Sequence, residues 1–291
     1  MILSSQDYEQ LCLWLRSAPG LGLAGGFGAI WGSFANVCIY RIPRGESLVR
    51  PGSHCPGCQV EIAWYDNLPI LSWLLLRGRC RRCGIAISAQ YPLVELLLTG
   101  LSLLLYRRFV CDDGGPMGIA LSRFVTYFFF TLTLVVLSAI DLRIRLLPDR
   151  ITYPTIPLFF LLGRICGQTS LLDALVGLCA GYAVIWLIAT VYHRLRGAEG
   201  LGLGDAKLLS LIGGLLGWHA LPWTLFIGSV SGLFLSLPLL ALRRRHEPEG
   251  SLLQSEVPFG PFLSLAAVVY LLFFVGRDPL AWLSGRLPSW V

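Results

Sequence analysis

The chain has 291 residues, 55% of them hydrophobic and only 14% charged, with a mean hydropathy of +0.68. Soluble domains carry about 25% charged residues, so the composition excludes an ordinary water-soluble globule and points to the membrane. The net charge of +6 rests on arginine, with one lysine, Lys207, and the placement of the arginines decides between nucleic-acid binding and membrane topology.

The first ten residues, MILSSQDYEQ, carry Asp7 and Glu9 and lack the basic start of a cleavable signal, so none is expected. Crossing a bilayer takes about 17 to 25 apolar residues. Eight segments reach or approach that length: 19–40, 90–106, 122–140, 153–169, 171–192, 205–218, 221–242 and 258–276. The second, fourth and sixth are short or interrupted, and Pro154, Pro157 and Arg164 disturb the fourth. The expected architecture is therefore an all-α polytopic membrane protein of about eight transmembrane helices. Its expected divisions are a first transmembrane helix in 1–42, a small cytoplasmic domain in 43–89 and a transmembrane domain in 90–291. The glycine-rich GLAGGFG, 22–28, lies inside the first segment, where small residues serve helix packing.

With the N-terminus outward, the inward loops hold 16 of the 23 basic residues, including Arg77, Arg79, Arg81, Arg82 and the run Arg243, Arg244, Arg245. Such a bias toward the cytoplasmic side is the positive-inside pattern. The basicity is topological, some of it available to anionic lipid, and no stretch resembles a nucleic-acid-binding module.

Of nine cysteines, Cys12, Cys38, Cys111, Cys166 and Cys179 are scattered in or near apolar text, where a thiol acts as a small hydrophobe. The other four form two C-x2-C pairs, HCPGC (Cys55, Cys58) and RCRRC (Cys80, Cys83), separated by 21 residues. Two such knuckles complete a tetrahedral four-sulfur site, a closed set that suits structural Zn2+ rather than chemistry. A cytoplasmic position disfavours disulfides, and a redox pair is the competing reading. Between the pairs, EIAWYDNLPILSWLLLRGR is apolar enough that 64–76 suits either an interfacial element or packing around the knuckles.

Two acids adjoin apolar runs. Asp141 follows FVTYFFFTLTLVVLSAI, and Asp205 opens the sixth segment after Gly202 and Gly204 in GLGD. Ionisable groups at membrane depth are costly and are functional candidates. The topology puts both at cytoplasmic ends, where a pair sharing one proton can activate water and protonate a carbonyl. Glycines beside Asp205 tolerate positive φ and let a peptide backbone approach. The plainer readings are that Asp205 caps a helix starting at Ala206, and that Asp141 is solvated beyond its span, as Asp149 in RLLPDR would be.

The texts GSFANVCIYRIPR (32–44), HCPGC, NLPILSWLLLRGRCRRC (67–83), YPLVELLLTG (91–100), IDLRIRLLPD (140–149), GLGDAKLL (202–209) and PFGPFL (258–263) occur in one order over nearly the whole chain. In these the chain resembles the prepilin peptidases, GxGD-type aspartic membrane proteases that are bifunctional leader peptidases and N-methyltransferases of type IV pilus and type II secretion systems. The resemblance implies that Asp141 and Asp205 are catalytic, with Asp149, Glu199, Lys207, Gly202 and Gly204 supporting, and that the four cysteines hold zinc. It implies prepilin or pseudopilin substrates in the bacterial inner membrane, cut on the cytoplasmic side. It also implies S-adenosyl-L-methionine as methyl donor and methylation by the first half of the chain, although no GxGxxG follows a strand and no residue is assigned to methyl transfer. A transporter using intramembrane acids leaves the thiol loop without a role, and a scaffold for an assembly machine predicts that neither acid matters.

Overall fold

A computed structural model describes residues 5–167, 169–197, 202–246 and 258–276. Among them no strand occurs, and the chain runs through ten α-helices: α1 (Ser5–Leu15), α2 (Ala18–Arg41), α3 (Leu71–Leu75), α4 (Gln90–Tyr106), α5 (Met117–Ile144), α6 (Asp149–Ile165), α7 (Leu171–Arg196), α8 (Leu203–Leu216), α9 (Ala220–His246) and α10 (Gly260–Phe273). All eight apolar segments read from the sequence carry a helix. Three stretches, Ala18–Arg44, Met117–Ile144 and Leu171–Leu195, are long and apolar enough to cross a bilayer by length and composition, and shorter apolar helices accompany them. The architecture is that of an all-helical multi-pass membrane protein. Helix α1 has no counterpart in the sequence expectations.

Two compact units divide the chain, Met1–Val136 and Leu137–Val291. In the first, α2 lies against α4 along a seam that only small residues permit. A Cβ at Gly28 would stand 2.6 Å from Ser102 Cβ, and one at Gly32 would stand 2.7 Å from Glu95 Cα. Close approach matters because lipid supplies no hydrophobic drive between helices, leaving dispersion and interhelical hydrogen bonds to hold them. Both are present: Ser102 donates to Ala24 O at 2.7 Å, and Asn36 Nδ2 to Tyr91 O at 3.0 Å. The packing role expected for the glycines of the first span thus falls on Gly28 and Gly32, whereas Cβ atoms at Gly22 and Gly26 would meet nothing. On another face of α2, Phe27 and Trp31 pack edge-on and tilted with Phe128 and Phe129, at centroid distances of 4.8 Å and 4.6 Å for the closest pairs.

In the second unit α8 is the central helix, buried at Ala206 and at every position from Leu208 to Leu216. Its closest neighbour is α7. A Cβ on Gly177 would run into the Gly213 carbonyl oxygen, and one on Gly181 would come within 2.5 Å of Leu209 O. Ser210 Oγ adds a hydrogen bond to Leu178 O at 2.9 Å. Helices α6, α9 and α10 pack around the same α8. The prolines expected to disturb the fourth segment do not interrupt it, and α6 is continuous through Pro154 and Pro157. A proline lacks one N–H and frees a carbonyl of the preceding turn, and nearby Thr155 Oγ1 donates into that region, to Ile151 O at 2.7 Å.

Candidate active site

Helix α5 stops at Ile144 because Arg145 turns left-handed, φ 54°. Its N–H still reaches back to Asp141 O at 2.8 Å. Leu146, Leu147 and Pro148 then carry the chain directly into α6, with Pro148 in the extended N-cap conformation and Asp149 as the first helical residue. Asp141 therefore lies within the last two turns of α5 and is only 6% exposed. The solvated position beyond a span that the simpler reading offered does not apply to it, whereas Asp149 is exposed.

Across from this turn is the start of α8. Its N-cap is Gly202 and its first residue Leu203, so the helix begins earlier than Ala206 and Asp205 is not its cap. The glycines do not take positive φ: Gly202 has φ −75°, and Gly204 is helical. Close approach explains Gly204 instead. A Cβ there would lie 3.2 Å from both Cβ and Cδ1 of Leu147, itself buried. Without that side chain the first turn of α8 settles onto the α5–α6 link, which brings the half-buried Asp205 beside Asp141.

The two acids line one cleft of about 370 Å³, together with Arg145, Leu146, Leu147, Asp149, Gly202, Gly204 and Lys207. They are near enough for the charge on Asp141 to act on Asp205. Asp141 Oδ2 is buried and has no hydrogen-bond partner among the described residues. Lys207 is paired with Asp149 in this cleft. Its Nζ lies 2.5 Å from Asp149 Oδ1 and 4.6 Å from the centre of the Tyr153 ring, so its charge is spent at the rim. Of the supporting residues expected from the sequence, Gly202, Gly204, Asp149 and Lys207 are gathered at this cleft, and Glu199 lies outside the described residues.

The four paired cysteines converge in the first unit. Their sulfurs all lie within 4.8 Å of one another, with Cys55 Sγ and Cys83 Sγ 3.7 Å apart. A tetrahedral ion with metal–sulfur bonds near 2.3 Å needs sulfurs about 3.8 Å apart, and a disulfide needs about 2.05 Å. The spacing fits a metal. Both knuckles share one backbone plan, 25 positions apart. Cys55 N–H donates to Val60 O and Gln59 N–H to Cys55 O, as Cys80 N–H does to Ile85 O and Gly84 N–H to Cys80 O. Gln59 and Gly84 both take the positive φ that closes such a turn. Backbone N–H groups of Cys58 and Gly57 are aimed at the Cys55 sulfur and hold its thiol down at about 6. Arg81 of the second knuckle clamps Asp66 with two nitrogens, Nε–Oδ2 2.8 Å and Nη2–Oδ1 2.6 Å, and holds that carboxyl below its usual range.

Two residues of interest escaped the sequence reading. Glu95 is a buried acid in the apolar α4, receiving the Ile70 N–H at 2.7 Å; an acid inside an apolar run was the available signal. Ile70 takes φ 64° there, a conformation unusual for a β-branched residue. Gly260, the first residue of α10, faces Asp141, and no spacing in the sequence connects positions so far apart.

The geometry defines a class first: a multi-pass helical membrane protein with two acids in one cleft near helix ends and a separate four-thiol knuckle. Comparison with known proteins narrows the class. Residues 27–109 match the Bacterial Peptidase A24 N-terminal domain, and residues 128–237 match the Type IV leader peptidase family. The chain is 39% identical over 274 residues to a prepilin leader peptidase/N-methyltransferase of Aeromonas hydrophila, covering 85% of this chain and 88% of that one. Proteins of the same name from Klebsiella pneumoniae and Dichelobacter nodosus are 40% identical over 210 residues and 33% over 302 residues. The first alignment covers 69% of this chain and 87% of the relative, the second 94% and 98%. No solved structure matches the chain. The chain belongs to the type IV leader peptidase family.

Proposed function

We propose that this chain removes the leader peptide of type IV prepilins and pseudopilins with Asp141 and Asp205 as the catalytic pair, and then N-methylates the new N-terminal residue. The observation that carries the reading is the meeting of the two acids in one cleft, built by the α5–α6 turn and the glycine-packed start of α8. Two facing carboxylates hold one proton between them. The ionised acid takes a proton from water as the water oxygen bonds to the scissile carbonyl carbon, and the other acid protonates the carbonyl oxygen. The first acid then returns its proton to the leaving nitrogen as the C–N bond breaks, and the second recovers its proton from the gem-diol. Carboxylic acid and amine leave, and the pair is restored.

The four cysteines would hold Zn2+ as a structural ion, closing the loop of 43–89 into a small domain between the first transmembrane helix, 1–42, and the remaining 90–291. S-adenosyl-L-methionine, when bound, supplies an electrophilic methyl group, and the freed α-amino group is its acceptor. The arginine distribution supports an N-terminus outward, about eight spans and a cleft facing the cytoplasm of a bacterial inner membrane. The partners are the bilayer and membrane-inserted prepilins of a pilus or type II secretion system, with no nucleic acid.

Mass spectrometry of a co-expressed prepilin tests both activities at once. Asp141→Ala and Asp205→Ala should each leave the leader attached, a loss of about 10³-fold or more, while a pre-cleaved peptide is still methylated. Normal processing by either variant would sink the assignment.

A further inference from the structure

We infer that the backbone N–H of Gly260, at the first turn of α10, is a positioning group for Asp141, and that glycine is needed there because any side chain would displace the carboxylate. The inference rests on the acid-pair reading and deepens it.

Three observations meet at this point. A Cβ on Gly260 would lie 2.7 Å from Asp141 Oδ2 and 3.3 Å from its Cγ, and a Cβ contact under 3.0 Å forces something to move. Asp141 is only 6% exposed, and its Oδ2 lacks a partner among the described residues. The Gly260 N–H is turned toward that carboxylate, without hydrogen-bond geometry to Oδ2. Contacts of this kind are often long in the free enzyme and tighten with substrate.

Among the described residues no backbone carbonyl takes this donor. Phe262 N–H and Leu263 N–H both bond to Phe259 O, and Pro261 has no N–H. The N-terminus of a helix carries about half a positive charge, and here it is directed at a desolvated carboxylate. The other charged groups at the cleft are Asp205 on α8, Arg145 beyond α5, and the Asp149–Lys207 pair, whose charges offset each other. Helix α10 itself has no charged residue. Its backbone therefore supplies the contact that its side chains cannot. The arrangement links position 260 to position 141 across the second unit and gives the PFGP text a role at the reacting acids.

The test is kinetic, on the full-length protein in detergent or lipid, with a synthetic prepilin peptide. Gly260→Ala keeps the N–H but adds the obstructing methyl. Misplacing a catalytic group by about 1 Å costs up to about 10²-fold, so kcat should fall between about 10- and 100-fold with KM unchanged. Pro261→Ala, which puts no atom against Asp141, should match the wild type. Methylation of a pre-cleaved peptide should persist in both and reports that the protein is folded. Wild-type kcat in Gly260→Ala, or an effect confined to KM, overturns the inference while leaving the acid pair in place. If Asp141→Ala itself cleaves, the acid-pair reading fails instead. Should Gly260→Ala lose methylation as well, amide exchange decides. Between Pro258 and Pro261 only Phe259 and Gly260 carry an N–H. With a non-cleavable prepilin peptide bound, exchange there should be slower in wild type than in Asp141→Ala, with Phe262 and Leu263 unchanged; equal exchange in the two peptide-bound proteins overturns the inference.

Discussion

The thiol knuckle of the first unit and the acid cleft of the second are built by opposite means. Each knuckle is local: a cysteine, its partner three residues on, and hydrogen bonds spanning four and five residues, repeated 25 positions later. The cleft draws on residues around 141, 205 and 260, held together only by helices packed side by side. A local device of this kind would be made rigid by an ion held between the two knuckles. The cleft needs none, because α8 is buried along nearly its whole length and the glycine contacts leave it no room to slide. Ligand loss and packing defects should therefore strike different halves of the molecule.

The largest effect should follow from removing the thiols that would hold the ion. Cys55→Ser with Cys58→Ser should take bound zinc from about one per chain to near zero by elemental analysis, and structural zinc contributes folding free energy outright. Methylation and proteolytic resistance of 43–89 should fall much further than cleavage. If both activities survive fully in the metal-free protein, the knuckle is not a structural staple.

Next come the helix seams. Gly177→Leu must push α7 off the Gly213 backbone, and overpacking of this kind costs about 1–3 kcal/mol or more. It should reduce cleavage by shifting the first turn of α8, while Gly28→Leu, at the α2–α4 seam, should reduce methylation first. Thermal unfolding in detergent, read beside both activities, checks this. Equal loss of both activities in both variants would erase the contrast between the units.

A smaller effect belongs to the Asp149–Lys207 pair at the rim, where Asp149 is largely exposed. Surface pairs contribute about 0–1 kcal/mol, so Asp149→Asn should slow cleavage by no more than about 5-fold. A loss like that of Asp141→Ala would make Asp149 a third reacting acid.

The smallest concerns Asp66. Arg81 holds its carboxyl below the usual range, so its contribution is present above the ordinary carboxylate pKa and fades as pH falls toward the folded value. Wild type and Asp66→Asn should differ in proteolysis of the knuckle at neutral pH and converge in acid. A difference that grows on acidification would contradict the sign.

How much was legible beforehand follows the same division. The C-x2-C pairs read directly as a four-sulfur site, since ligand spacing within a knuckle is set by the chain itself. The two acids stood out because charge beside a long apolar run is rare. The plainer reading of Asp205 as a helix cap does not hold, since it lies inside the first turn of α8, and of the two uses open to its glycine neighbour the close approach, to Leu147, applies rather than a left-handed turn. Lys207, expected to support the pair, lines the same cleft but is ion-paired with Asp149. Glu95 and Gly260 were passed over, one hidden in an apolar helix and the other far along the chain.

Composition and motif order determined the class of this protein, its apolar segments, its thiol site and its pair of acids. These depend on hydropathy and short-range spacing, which a linear text records. Tertiary structure alone decided which glycines are seams, where Lys207 spends its charge, and that the start of α10 faces Asp141. Those outcomes depend on backbones coming within a van der Waals contact of each other, a distance that only the packed helices set.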